Sequence, residues 1–156
     1  MSSANAWREA GTLTLPVMFG YLPLGAAFGI LAVEMGLPVW AALLMSLLIY
    51  AGAGQFLAVA LLAAGAGLVE MAVATLMLNS RHLFYGLSLL KRFQGAGWRK
   101  PYLIYSLTDE TYSLVCSGEA PDGVDRRRYY FFVSLFVKLY WIAGSVAGAL
   151  AGRALP

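Results

Sequence analysis

Between Gly67 and Leu90 an otherwise apolar, membrane-length run, GLVEMAVATLMLNSRHLFYGLSLL, carries Asn79, Ser80, Arg81 and His82 in succession. An ionised arginine near mid-bilayer costs roughly 2.5–3.5 kcal/mol on insertion scales, so such residues normally face a bundle interior or a polar pathway. A chain with this segment must shelter the polar block with other helices. Composition agrees: 60% of residues are hydrophobic and 12% charged, against about 25% charged in soluble domains, and mean hydropathy is +0.71. The expected fold class is an all-α membrane protein. With 156 residues and about 20 per spanning helix, the chain has room for a bundle of about five hydrophobic helices in one integral-membrane domain covering 1–156.

Five segments can be drawn. The first, about Gly11 to Val33, contains Pro16, Pro23, Gly25 and Gly29. Proline removes a backbone donor and clashes with the preceding turn, and nearby glycines loosen a helix further, so a kink or break is expected. A cleaved secretory signal is the competing reading, but the apolar stretch is too long for a signal core and no small-x-small cleavage site ends it. The second, Pro38 to about Ala64, carries Ser46, Tyr50 and the run Ala51-Gly-Ala-Gly-Gln-Phe56. Its glycines suit either an irregular backbone, as in the broken helices of transporters, or a tightly packed regular helix. The third is the Gly67–Leu90 run. The fourth, Tyr102 to Cys116, has fifteen residues and contains Thr108-Asp-Glu-Thr111. At 1.5 Å per residue it falls short of a roughly 30 Å hydrocarbon core, so it is expected to be short, re-entrant or interfacial. The fifth runs from Tyr129 to about Gly152, with Gly144, Gly148 and Gly152 on one face. Small residues at such spacing let helix backbones approach, either within the bundle or against a second copy or another subunit.

Basic residues cluster at the ends of apolar segments, which suits loops beside anionic lipid and not nucleic-acid binding. If every segment crosses, Arg8 and Arg126–Arg128 oppose Lys91, Arg92, Arg99, Lys100 and Arg153, four against five. If the fourth segment dips and returns, its two flanking loops put seven basic residues on one side against Arg8 and Arg153 on the other. Lys and Arg in short loops mark the cytoplasmic side, so the second arrangement has the clearer bias. One cysteine, Cys116, can form no internal disulfide, and with one histidine it argues against a transition-metal site. Ser80 and His82 point about 160° apart on a helix, which disfavours a nucleophile–base pair. No nucleophile elbow, phosphate loop or metal cluster is present, so neither an enzyme nor a cofactor is expected.

The polar residues within apolar segments are the candidate site. Arg81 can offer its planar fork to a carboxylate, or hold the bundle together by bonding backbone carbonyls or an internal carboxylate. Asn79 and His82 can hydrogen-bond across helices or meet a substrate, with packing the preferred role for His82. Asp109 and Glu110 can hold a substrate ammonium or take up a proton, since burial disfavours a carboxyl's charged form. They can also form an ion pair with Arg81 or Lys138, or sit at the interface. For Lys138, a long stem reaching the interface suffices.

Four motifs occur in order: LPLGAAFG at Leu22–Gly29, SLLIYAGAGQF at Ser46–Phe56, Asn79-Ser-Arg-His82 followed by Leu83-Phe-Tyr85, and Thr108-Asp-Glu110. Together they resemble the AzlC family of branched-chain amino acid permeases, over most of the chain from about Pro16 to Gly152. The resemblance implies a multi-pass protein of the bacterial cytoplasmic membrane that exports branched-chain amino acids with a small AzlD-type membrane partner. Family members usually continue beyond the position of Leu155-Pro156, so the chain is expected to correspond to the N-terminal part of such a permease. Leucine, valine and isoleucine need a cation for the carboxylate, an anion or carbonyls for the ammonium, and an apolar pocket. Arg81 suits the first and Asp109 or Glu110 the second, with Phe28, Tyr50, Phe56 and Phe84 available for the third and Gln55 and Asn79 for orienting hydrogen bonds. Asp109, Glu110 and His82 are the candidates for proton coupling.

Overall fold

A computed structural model describes residues 3–154, with side chains from residue 5 onward; Leu155 and Pro156 lie outside the described residues. It is all-helical, with seven α-helices and one short 3-10 turn among them. In chain order they are α1 (Ser3–Glu34), α2 (Val39–Leu48), α3 (Gly52–Ala63), α4 (Leu68–Leu89), the turn at Gly97–Arg99, α5 (Lys100–Tyr105), α6 (Asp109–Ser117) and α7 (Arg126–Ala154). Helices are the economical solution for an apolar chain in lipid, because each satisfies its backbone polar groups internally. Within α1, Asn5–Glu34, and α7, Arg126–Ala154, are long and apolar enough to cross a bilayer. The count thus exceeds the five segments expected, because two segments are each divided.

The division does not fall where the prolines suggested. The first segment is one continuous helix of 32 residues through Pro16 and Pro23, which corrects the expectation of a break there. Each proline deletes one ladder bond, but water is absent to reward an open turn and the remaining bonds persist. The glycines that seemed to loosen this helix serve contact instead. A Cβ at Gly25 would lie 2.9 Å from the Trp141 carbonyl oxygen, and one at Gly29 would meet Ser145 O and Ala149 N. From the other side, a Cβ at Gly144 would come within 2.6 Å of Leu22 O, and one at Gly148 would strike the Ala26 backbone. Glycine at these positions brings the two backbones together.

The second segment is broken, as one of its two readings expected. α2 stops at Leu48, Tyr50 takes a left-handed φ of 44°, and α3 restarts at Gly52 after an extended Ala51. The fourth segment is likewise split. α5 ends at Tyr105, Thr108 is extended, and its side-chain oxygen accepts from the Thr111 N–H at 3.3 Å to cap α6. Six and nine residues give about 9 and 14 Å of helix, each too short to cross alone.

Two compact units emerge from the packing. The first takes the chain to Phe19 and His82–Leu139; the second takes Gly20–Arg81 and the chain from Tyr140. In the first, Ala6 and Ala10 of α1 pack with Leu89, Phe93, Leu103, Val115, Tyr130 and Val133. In the second, Phe28, Trp141 and Val59 are buried beside the glycine contacts of α1 and α7.

Candidate functional site

In the second unit the side chains converge on the break between α2 and α3. Ile49 and Tyr50 both donate their N–H to the Met45 carbonyl, closing α2, and Ala51 turns the chain into α3 with no side-chain cap. Gln55, one turn further on, is fully buried. Its amide nitrogen donates to Ser46 Oγ at 3.1 Å and its amide oxygen accepts from Trp141 Nε1 at 2.8 Å. One side chain thereby ties the end of α2, the start of α3 and α7 together. Trp141 also meets Tyr21 edge-on, with ring centroids 5.3 Å apart, and stacks on Phe28, which in turn meets Phe56 edge-on. A Cβ at Gly52 would touch the Trp141 ring at 3.0 Å, and one at Gly54 would come 3.6 Å from the Asn79 amide of α4. The glycines therefore let Trp141 and Asn79 close on the first turn of α3.

The start of α3 has the electrostatics of an anion site. Its first-turn amides carry the positive end of the helix dipole, and the turn holds no acidic residue and no side-chain cap. Such helix starts recruit carboxylates and phosphates. The start of α6, in the first unit, is already served: Thr108 caps it and Asp109 and Glu110 occupy its first turn.

The expected site residues divide between the units. Gln55, Tyr50, Phe56, Asn79 and Arg81 belong to the second, and His82, Phe84, Asp109 and Glu110 to the first. Tyr50 is buried at the break; Asn79 and Arg81 are half-buried, with the Arg81 Nε shielded from solvent. Asp109 accepts a hydrogen bond from the Tyr85 hydroxyl at 2.9 Å. Tyr85 stacks on Tyr112 with centroids 4.2 Å apart and receives the His82 ring edge-on at 5.7 Å. Phe84 is 70% exposed, and Glu70 is exposed at the start of α4. The Lys138 ammonium lies 4.5 Å from the centre of the Tyr105 ring.

Sequence reading passed over Trp141, which is the central contact of the broken segment. A tryptophan just ahead of a glycine-rich helical face was the available signal, because its apolar body packs while its N–H requires an acceptor. Tyr85 and Tyr112 were also missed as a stacked pair, in which Tyr85 donates to Asp109.

A helical membrane protein with two helices long and apolar enough to span a bilayer, and two broken segments, is the class these features define. The family model described as AzlC protein matches residues 16–155. The chain belongs to the AzlC family. It is 38% identical over 147 residues to the branched-chain amino acid transport protein AzlC of Bacillus subtilis, covering 94% of this chain and 58% of that one. A membrane protein of Helicobacter pylori is 43% identical over 148 residues, covering 95% of this chain and 65% of its own length. The inner membrane protein YgaZ of Escherichia coli is 30% identical over 152 residues, covering 91% and 59%. The chain thus spans less than two thirds of the length of these relatives. No solved structure matches it.

Proposed function

We propose that the chain takes part in export of branched-chain amino acids across the bacterial cytoplasmic membrane, in a carrier whose energy source is the proton gradient. The observation that carries this reading is the interrupted α2–α3 segment, where an uncapped helix start is walled by Trp141, Phe28 and Phe56. An amino acid carboxylate suits the α3 amides and the Arg81 guanidinium, and a branched side chain suits the aromatic wall. Gln55, whose amide is bonded at both ends to protein groups, is assigned to holding the break open rather than to touching substrate. Asn79 and Tyr50 are assigned to orienting the ligand. Asp109, held by Tyr85, together with Glu110 and His82, all in the first unit, is assigned to proton coupling.

Support from relatives lies in the name of the B. subtilis protein, a branched-chain amino acid transport protein. The second reading is a structural membrane subunit of a transport complex, which forms the pathway only with a partner chain such as an AzlD-type protein. Efflux of labelled leucine, valine and isoleucine from whole cells, with and without that small partner, tests both. Export by the chain alone supports the first, export only with the partner supports the second, and none in either case removes both.

A further inference from the structure

We propose that the first unit carries a binding site for a phosphate-bearing anion, with the phosphodiester headgroup of an anionic lipid as the source. Two cavities adjoin where the α4–α5 and α6–α7 connections meet. One, of about 370 Å³, is lined by Lys91, Arg92 and Arg126 together with Ser88, Tyr112 and Cys116. The other, of about 240 Å³, shares Arg92 and Arg126 and adds Arg127 and Tyr130. Four cations therefore surround the pair, and no carboxylate lines either cavity.

The nearby acids leave most of these cations without a carboxylate. Asp125 accepts from the Arg127 and Arg128 amides at the start of α7 and lies 3.7 Å from the Arg128 side chain, while Glu119 reaches only Arg92, at 3.9 Å. Among the described residues no carboxylate pairs with Lys91, Arg126 or Arg127. Arg92 is fixed in place by donating to the Val115, Cys116 and Gly118 carbonyls at the end of α6. Its charge is a permanent part of the cavity wall. Like charges gathered this closely repel one another, and an anion between them reverses the sign of that energy.

A second observation points the same way. Tyr130, 2% exposed, lines the smaller cavity, and its hydroxyl has no hydrogen-bond partner among the described residues. A buried hydroxyl left alone is costly, and a ligand rich in acceptor oxygens supplies what it lacks. Arginines are suited to the task, because their forks grip phosphate oxygens in pairs. The position selects the lipid source. Arg126 is the first residue of a helix long and apolar enough to cross a bilayer, which sets the cavities at headgroup depth, where basic pockets between helices collect anionic lipid.

Cys116 provides the test, since it is the only cysteine, is exposed and lines the larger cavity. Its labelling by an uncharged maleimide would be timed in nanodiscs of phosphatidylcholine alone, of phosphatidylcholine with phosphatidylglycerol, and of phosphatidylcholine in inorganic phosphate at matched ionic strength. Phosphatidylglycerol should slow labelling several-fold and remain bound in native mass spectrometry. The double variant Arg126→Gln/Arg127→Gln should lose both effects, as each cation beside an anionic surface contributes on the order of fivefold. Arg126→Lys/Arg127→Lys should retain part of the protection. Equal slowing by inorganic phosphate upholds the site but makes free phosphate the ligand. Slowing by neither, or equal slowing in the double glutamine variant, overturns the proposal.

Discussion

Gln55 shows how much one side chain can decide in a membrane interior. Its amide oxygen and nitrogen join Trp141 and Ser46 across 86 and 9 positions of sequence, at a position with no solvent access. In Gln55→Leu both partners lose their bond while staying buried, and each orphaned group costs about 1–3 kcal/mol. The variant should melt well below the parent in detergent, and the fluorescence of Trp141 should shift as its N–H loses its acceptor. An unchanged melting temperature would mean that the bridge does not hold the break. Arg81 calls for a different readout, because its proposed role is recognition. Arg81→Lys keeps the charge and loses the planar fork, so export should fall about tenfold or more if a bidentate contact worth at least 1.4 kcal/mol is lost. Membrane-inserted protein should stay near the parent level by immunoblot. Normal efflux at normal abundance would remove Arg81 from the carboxylate site.

At the scale of elements, glycine has two uses in α1 that a substitution pair can separate. A Cβ at Gly20 meets nothing within 4 Å, whereas one at Gly29 runs into the backbone at Ser145 and Ala149. Gly20→Ala should be neutral or stabilising by up to about 1 kcal/mol, the ordinary helix preference for alanine. Gly29→Ala should lower the yield of folded protein on a size-exclusion column, because a backbone contact cannot yield as a side chain does. The same helix shows what was legible in the sequence. The small-residue spacing at Gly25/Gly29 and Gly144/Gly148/Gly152 marked the close approach correctly, since steric permission for close contact is a local property. The effect of Pro16 and Pro23 was not legible, because whether a helix survives a lost bond depends on its surroundings. The break at Tyr50 was readable from Gly52 and Gly54, yet the Gln55–Trp141 bond that supports it was not, as nothing local links residues so far apart. Likewise Thr108-Asp-Glu-Thr looked like a buried polar motif, while its cap geometry identifies it first as a helix start.

For the whole molecule, the shortness of α5 and α6 fixes a topological expectation. Neither helix can cross a hydrocarbon core of roughly 30 Å by itself, so the chain between α4 and α7 is expected to enter and leave on one face of the membrane. That puts Lys91, Arg92, Arg99, Lys100 and Arg126–Arg128 together against Arg8 and Arg153, seven to two. Such a bias places the seven in the cytoplasm. Single cysteines at Gln94 and Asp122, introduced in a Cys116→Ser background, report on the two connections separately. A membrane-impermeant thiol reagent should label both in inverted vesicles and neither in intact spheroplasts. Labelling from opposite sides would show that α5 and α6 cross as a pair. The charge count would then return to four against five, and loop charge would no longer explain the orientation. Labelling of both from outside would keep the re-entrant path but reverse the bundle, and with it the leaflet facing the basic cavities.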